Sequence, residues 1–191
     1  MKYLGIYRGK VLATDVLEDD KLGRIKVEIY PMLLSSDTNG SASQLRADGY
    51  DIEGISANVL PWAVPAMSLF SGAGNGFGSF TIPAVNSFVW VFFESGDIHQ
   101  PVYLAEACTK TYGIPSEAST DYPYTKVWKT KNGITITIND KKDSEEIKVE
   151  HPAGTSFQID SDGNVSVVSA GTTTVTSTGN LAITAPRIDL N

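Results

Sequence analysis

Residues 157–183 read FQIDSDGNVSVVSAGTTTVTSTGNLAI, and this stretch repeats in steps of eight, with glycine at positions 163, 171 and 179. Two further positions in each repeat lie two residues apart and carry apolar or Thr side chains. They are Phe157, Val165, Thr173 and Leu181, then Ile159, Val167, Val175 and Ile183. A spacing of two is the side-chain period of a strand with one buried face, so each repeat predicts a short strand, a glycine turn and another strand. A repeat of this kind cannot bury its own face and must stack on something.

Three packings compete for this tail. In the first, Gly163-Asn164 and Gly179-Asn180 are hairpin turns of an antiparallel meander. In the second, one chain coils as a β-solenoid, for which the available strands are too few to build a core. In the third, three chains wind together, each contributing one strand per layer, so that every strand edge is closed. Because an exposed apolar stripe on a monomer would promote aggregation, we expect a homotrimer.

The predicted trimer core extends upstream of the repeat, because the alternation begins at residue 134. Full burial of one such side chain is worth roughly 1.5–3 kcal/mol, which is an upper bound. The expected core residues are Ile134, Ile136, Ile138, Ile147, Val149, Phe157, Ile159, Val165, Val167, Val175, Leu181 and Ile183.

The N-terminal part predicts an all-β barrel, because no window keeps a helical apolar spacing. A first strand over 6–16 contains Gly9 as a bulge or bend. A second over 24–30 places Ile25, Val27 and Ile29 inward and both Lys26 and Glu28 outward. Apolar segments follow at 62–65, 87–93 and 102–107. Five or six strands with long loops favour a Greek-key barrel such as an OB-fold.

The sequence thus predicts three parts: an OB-fold domain over 1–108 with a long loop at 31–60, a polar connector over 109–130, and a C-terminal β-helix needle over 131–191. Loops of that length are usually functional or mobile.

The composition of the chain argues against several kinds of site and partner. The chain has 191 residues, a net charge of −7, one cysteine and two histidines. We expect no intrachain disulfide and no zinc held by paired cysteines. The acidic balance argues against a phosphate-binding surface, hence against nucleic-acid sequence recognition. No signal peptide or membrane span is read from the sequence.

Residues that could carry chemistry are sparse, and each has a structural interpretation that we favour. The glycine loop 71–78 lacks the lysine of a phosphate cradle. Glu94 and Asp97 flank a turn, while His99 and Cys108 lack an orienting third group. His151 precedes Pro152 and marks a strand end. We therefore expect no catalytic residue, cofactor or metal, and hence no enzyme.

Three tryptophans could stack on bases or sugars. Trp62 and Trp90 have apolar neighbours and are expected in the core, whereas Trp128 is open to either interpretation.

Several segments resemble, in order, the central spike proteins of contractile tails. The residues 5–11, 19–27 (DDKLGRIKV) and 60–63 (LPWA) look like the start of the OB domain of that family, and 89–97 (VWVFFESGD) and 100–103 (QPVY) like its end. The segments 131–134 (KNGI), 147–149 (IKV) and 160–165 (DSDGNV) are similar to the passage from OB domain to β-helix in VgrG and phage baseplate spikes.

The resemblance implies a homotrimeric baseplate spike that sits on hub proteins through its OB domains. It further implies that the needle is pressed through the host outer envelope, and that the protein is assembled in the host cytoplasm into the virion tail. The alternative is an OB-type binding module for single-stranded nucleic acid or oligosaccharide. This alternative stays open because a fold alone does not establish a function.

Two departures from the family qualify the resemblance. The connector of about twenty residues leaves no room for the lysozyme-like domain of some members. No histidine follows His151, so the iron-binding His-x-His apex of others is absent, and the repeat slips near Pro186. A separate PAAR-type tip protein capping the needle is therefore expected as a partner.

Overall fold

The computed structural model describes residues 2–37, 40, 54–67, 78–110 and 113–188. Within these ranges the regular structure consists of β-strands and short 3-10 turns, without an α-helix. The chain divides into two compact units, Met1–Gly113 and Ile114–Asn191. Each unit is described by itself below.

The first unit is a closed five-stranded barrel with the strand order β1-β2-β3-β5-β4. Its neighbouring strands are antiparallel, except that β3 and β5 are parallel. The strands are β1 (Tyr7–Thr14), β2 (Ile25–Ile29), β3 (Trp62–Pro65), β4 (Phe88–Phe93) and β5 (Pro101–Glu106). This barrel is consistent with an OB-fold and confirms the predicted all-β class.

Alternation along the strands fills the barrel interior. The side chains of one parity point inward and are almost fully buried, as expected for strands that close on themselves. The core cluster contains Val11, Ile25, Val27, Ile29, Leu33, Leu60, Ala63, Val89, Val91, Phe93 and Tyr103.

The prediction of a bulge at Gly9 is wrong, because the register of β1 against β2 shifts between Val11 and Ala13. Gly9 lies in regular pairing, where a Cβ would stand 3.2 Å from Val91 Cγ2 and 3.4 Å from the Glu28 carbonyl oxygen. This glycine is therefore explained by the close approach of neighbouring groups.

The prediction that Lys26 and Glu28 face solvent is also wrong, since both are buried. The Lys26 ammonium donates to the carbonyl oxygens of Leu60 and Asn58, and it lies 4.4 Å from the centre of the Trp62 ring. The Glu28 carboxylate accepts a hydrogen bond from the Ser35 N–H. The two ends of the excursion between β2 and β3 are therefore fastened to β2 by its charged side chains.

A buried carboxylate organises the turn between β1 and β2. One oxygen of Asp15 accepts hydrogen bonds from the N–H groups of Leu22 and Arg24, each at 2.9 Å. Burial alone would raise the pKa of Asp15. The N–H donors and the Arg24 guanidinium together lower this pKa by more than burial raises it, so it lies below its ordinary value of 3.8. The side chain is thus ionised at neutral pH and closes the turn.

The second unit is a five-stranded antiparallel meander with the order β10-β9-β8-β7-β6. The predicted connector 109–130 contains a 3-10 turn (Ser116–Ser119) and the first strand of this sheet, so the sheet begins earlier than expected. The strands are β6 (Thr125–Lys129), β7 (Thr135–Asn139), β8 (Glu146–Glu150), β9 (Ser156–Ile159) and β10 (Val165–Val168).

Three of the four hairpin turns share one construction. In the turns 130–134, 151–155 and 160–164, the first residue donates its N–H to the carbonyl of the fifth, and the fourth residue is a glycine with positive φ. Three-residue loops with glycine in the left-handed position are a common hairpin connection. Gly163 thus forms the predicted turn, whereas no strand follows between residues 169 and 188.

Replacement of the turn-closing carboxylate tests this account of the barrel. Asp15→Ala should lower the free energy of unfolding by about 1–3 kcal/mol, because it leaves two backbone N–H groups without their acceptor. The exposed Asp19→Ala should stay within about 0.5 kcal/mol. Urea unfolding at pH 7 measures both variants.

The pH dependence gives a second check on Asp15. A carboxyl group with a lowered folded-state pKa stabilises the fold above 3.8, and this contribution disappears as the pH falls through the folded-state pKa. The difference between wild type and Asp15→Ala should therefore shrink below that value. An unchanged difference would contradict the assigned role.

Candidate assembly surface

The register of the C-terminal sheet places most of its large apolar side chains on one face, with Val127 and Val168 on the other. Residues directly opposite each other in a ladder lie on the same face. The first transverse row consists of Trp128, Ile136, Val149, Phe157 and Val167. The second consists of Ile138, Ile147, Ile159 and Val165. We call these nine residues the apolar face.

The other face of the same sheet is polar. Its central row pairs Thr137 with Lys148, Lys148 with Gln158, and Gln158 with Ser166. Lys148 forms an ion pair with Glu150 at 2.7 Å, and the Gln158 amide donates to Glu146 at 2.6 Å. Such hydrogen-bonded pairs suit a solvated surface, so this face has no need of a cover.

The apolar face is the more exposed of the two. Ile147 and Val149 are 45% and 39% exposed, and Val167 is 67% exposed, while the facing polar residues Glu146, Lys148 and Gln158 are half-buried. A soluble sheet ordinarily shows the reverse order, with its apolar side chains covered. Within its described residues, the second unit holds nothing that covers this face.

The tail beyond β10 continues the apolar pattern without strand pairing. Val175, Leu181 and Ile183 are 68%, 58% and 68% exposed. The structure therefore gathers the predicted core residues between 136 and 167 on one face, sets Ile134 in the turn before β7, and leaves these three on an extended segment.

A short segment before β6 is tied to the sheet by charged side chains. Lys129 donates to the Glu117 carboxylate, and Lys141 donates to that of Asp121, which also accepts from the Asn139 amide at 3.0 Å. The hydrogen bond from Lys129 lowers the pKa of Glu117, and the hydrogen bond from Lys141 lowers that of Asp121. Both carboxylates are thus ionised at neutral pH, where they fix the entry to the sheet.

Trp128 belongs to the apolar face, and the sequence left its role open. The cross-strand register supplies the missing information, since Trp128 pairs with Ile136. The core prediction for Trp90 is wrong, because its ring is 38% exposed beneath the Arg8 guanidinium at 5.1 Å. Trp62 is only half-buried, with Arg24 5.4 Å from its ring centre.

The other residues considered as candidates for catalysis or metal binding lie in turns or near the ends of strands. Glu94 begins a 3-10 turn, and the Asp97 carboxylate accepts the His99 N–H at 3.0 Å. His151 Nδ1 accepts the Ala153 N–H at 3.1 Å, and Cys108 is exposed. Among the described residues, no three His, Cys, Asp or Glu side chains lie close enough to hold a metal ion.

Two predicted features fall largely outside the described residues. These are the glycine loop 71–78, of which only Gly78 is described, and the central part of loop 31–60. In the part of the chain that is described, no helix has the length and apolar character needed to cross a membrane.

One family comparison bears on this chain. Residues 52–107 match the family described as the type VI secretion system/phage-baseplate injector OB domain. The match includes β3, β4 and β5 of the barrel and supports a structural role in a baseplate or injection system, with a virion or tail location. No curated protein matches the chain.

A pair of neighbouring residues tests whether the apolar face is covered in solution. Val167→Lys should leave the isolated chain folded, because the side chain is already 67% exposed there. It should abolish any self-association that covers the face, because burying an unpaired charge costs several kcal/mol. Sedimentation velocity measures the outcome.

The matched control is Ser166→Lys, one residue earlier on the polar face of the same strand. This variant should associate as the wild type does. Equal association of both variants would show that the apolar face is not the contact surface.

Proposed function

We propose that this chain is the structural central spike of a contractile phage tail or a related injection system, VgrG-like in organisation and without enzymatic activity. It works as a homotrimer whose C-terminal part is a needle that punctures the host outer envelope mechanically. One observation carries the proposal: an apolar sheet face that its own unit leaves uncovered follows a barrel that matches the injector OB domain.

The apolar face supports an assembly around a shared axis. Three copies of the sheet, each turning this face inward, would bury Ile136, Ile147 and Phe157 in a common core, at about 25 cal/mol per Å² of apolar surface removed from water. The polar faces would then form the outside of the assembly. Three sheets of this kind would enclose one continuous core.

The intrachain ladder changes the expected arrangement of the strands. Between residues 125 and 168 each strand pairs with its neighbours in the same chain, so one copy would supply a whole wall there instead of one strand per layer. Interwinding of three chains is confined in this proposal to the tail after Val168. There the eight-residue repeat continues, while residues 169–188 of a single chain form no strand.

This architecture suits a mechanical role. The sheath's contraction supplies the force in the proposed function, and the spike has only to remain narrow and folded. Hairpins closed by short glycine turns add little width to the rod. Strand edges that are paired between copies would also resist unfolding.

The proposed partners follow from the two units. The barrel attaches to baseplate hub proteins, and the C-terminal end is capped by a separate PAAR-type tip protein. The host outer envelope is met only during injection, and no nucleic-acid sequence is recognised.

The alternative function, an OB-type module for single-stranded nucleic acid or oligosaccharide, is favoured by one observation. The exposed Trp90 ring next to Arg8 offers a stacking surface of the type used by such modules. A net charge of −7 opposes binding to phosphates. Binding of a labelled oligonucleotide at physiological salt would favour this alternative.

The mass of the full chain in solution tests the proposed trimer. We expect three times the chain mass of 20.5 kDa, and a band that resists SDS until it is heated. A monomer at micromolar concentration would overturn the needle.

The tail is tested by a matched pair of variants. Val175→Asp should remove the resistance to SDS, because it places a charge at a position of the eight-residue repeat that faces the shared core. Thr174→Asp, at the neighbouring position, should retain the resistance to SDS. Equal SDS resistance of the two variants would refute the assignment of Val175 to the inward side of the eight-residue repeat.

The absence of catalysis is tested on the same material. The purified trimer should release no more fragments from peptidoglycan than buffer alone in muramidase and peptidase assays. Turnover that depends on the protein would contradict the purely mechanical role.

A further inference from the structure

The turn between β1 and β2 displays exposed aliphatic side chains. We call residues 16–22 the knob. Leu17 at its apex is 93% exposed, and Val16 and Leu22 are 62% and 57% exposed. Between them stand three exposed carboxylates, Glu18, Asp19 and Asp20. Aliphatic side chains presented in this way are costly for a monomer and are typical of a contact site.

The knob is held in one conformation. The buried Asp15 accepts the N–H groups of Leu22 and Arg24, and the Glu18 N–H donates to the Asp15 carbonyl at 3.0 Å. The Arg24 guanidinium bonds the Asp20 carboxylate at 2.6 Å. Because the turn is already ordered, docking it would cost little conformational entropy.

A groove on the outer surface of the barrel has the complementary character. It lies along the start of β1 between β2 and β4, and its apolar lining includes Ile6, Leu34 and Phe88. Two cationic side chains, Arg8 and Lys10, line it together with Tyr7, the buried Glu28 and the 67% exposed Tyr30. Arginine and aromatic residues are the types enriched at the energetic centres of protein interfaces.

Groove and knob lie at opposite ends of the same strand. From Arg8 to Thr14 the chain is extended, which separates the two surfaces by about 20 Å at ~3.3 Å per residue. A chain therefore cannot fill its own groove with its own knob. The knob carries aliphatic and acidic side chains. The groove carries apolar side chains and two cations, Arg8 and Lys10, against the single buried carboxylate of Glu28, so a second copy of the chain fits the groove in both respects.

We propose that the knob of one copy docks in the groove of the next, with Leu17 against the apolar lining and the knob carboxylates near Arg8 and Lys10. Such a contact joins two different surfaces and propagates from copy to copy. The inference rests on the trimer proposed above, because three copies held by their C-terminal parts would close the contacts into a ring. The barrels would then contribute their own interface to the assembly.

Disulfide trapping in the full chain tests the contact. In a Cys108→Ser background, Leu17→Cys and Tyr30→Cys are combined in one chain and oxidised at micromolar concentration. We expect covalent trimers on heated, non-reducing SDS gels, and covalent dimers when the two single variants are co-assembled. Adding Arg8→Glu should slow crosslinking at least about tenfold, as expected for loss of a close charge pair at an interface, and adding Asp19→Arg to that variant should restore it.

The controls separate this proposal from the trimer itself. Each single cysteine alone, and Leu17→Cys combined with the exposed Val85→Cys, should give only background crosslinking. Lys131→Glu, in the second unit, should leave the rate unchanged. A trimer by mass that crosslinks no better than these controls would overturn the knob and groove and leave the spike standing, whereas a monomer by mass would overturn both.

Discussion

The structure of the second unit depends on the separation of side chains by strand parity. Antiparallel registers without a slip keep the nine residues of the apolar face on one side and Glu146, Lys148 and Gln158 on the other. Three residues depart from this pattern: Val127 and Val168 lie on the polar side, and Lys126 lies on the apolar side. The hydrogen-bond ladder pairs the backbone groups of the sheet, but it cannot bury the apolar side chains. A single sheet buries an apolar face only when a second layer packs against it, and the described residues of this unit provide no second layer. The proposed assembly of the C-terminal part follows from that unfilled requirement.

The barrel solves the same problem within one chain by closing on itself. Its outward-facing charges then become available for a second task, which Lys26 and Glu28 perform by fastening the long excursion between β2 and β3. Asp15 does the same for the preceding turn. Charged side chains therefore fix the connections between the strands of this unit, while aliphatic packing fills its interior.

Much of the fold could be predicted from the sequence. Period-two alternation located the barrel strands and eight of the nine residues of the apolar face, all except Trp128, because burial on one side leaves that signature wherever it occurs. The same signature is silent on pairing partners, so it could not distinguish an intrachain meander at Ile136 and Val149 from strands shared between chains. Alternation also misled at Lys26 and Glu28, since it treats polar as exposed, while a charged side chain with several acceptors or donors nearby can be buried. For Trp90, apolar neighbours in sequence pointed to the core, but its parity on β4 places it outside.

The shared construction of the hairpin turns has a consequence for the order of events in assembly. Each turn closes over five residues and aligns the strands beside it, so the meander can form by local steps on the microsecond timescale of isolated hairpins. Contacts of such low sequence separation make a chain that folds quickly on its own, compared with one that must find remote partners first. Encounter between copies of the proposed trimer, which depends on concentration, would then be the slow stage of maturation. A newly synthesised chain would pass that interval with its apolar side open, and its lifetime in that form would decide between productive association and aggregation.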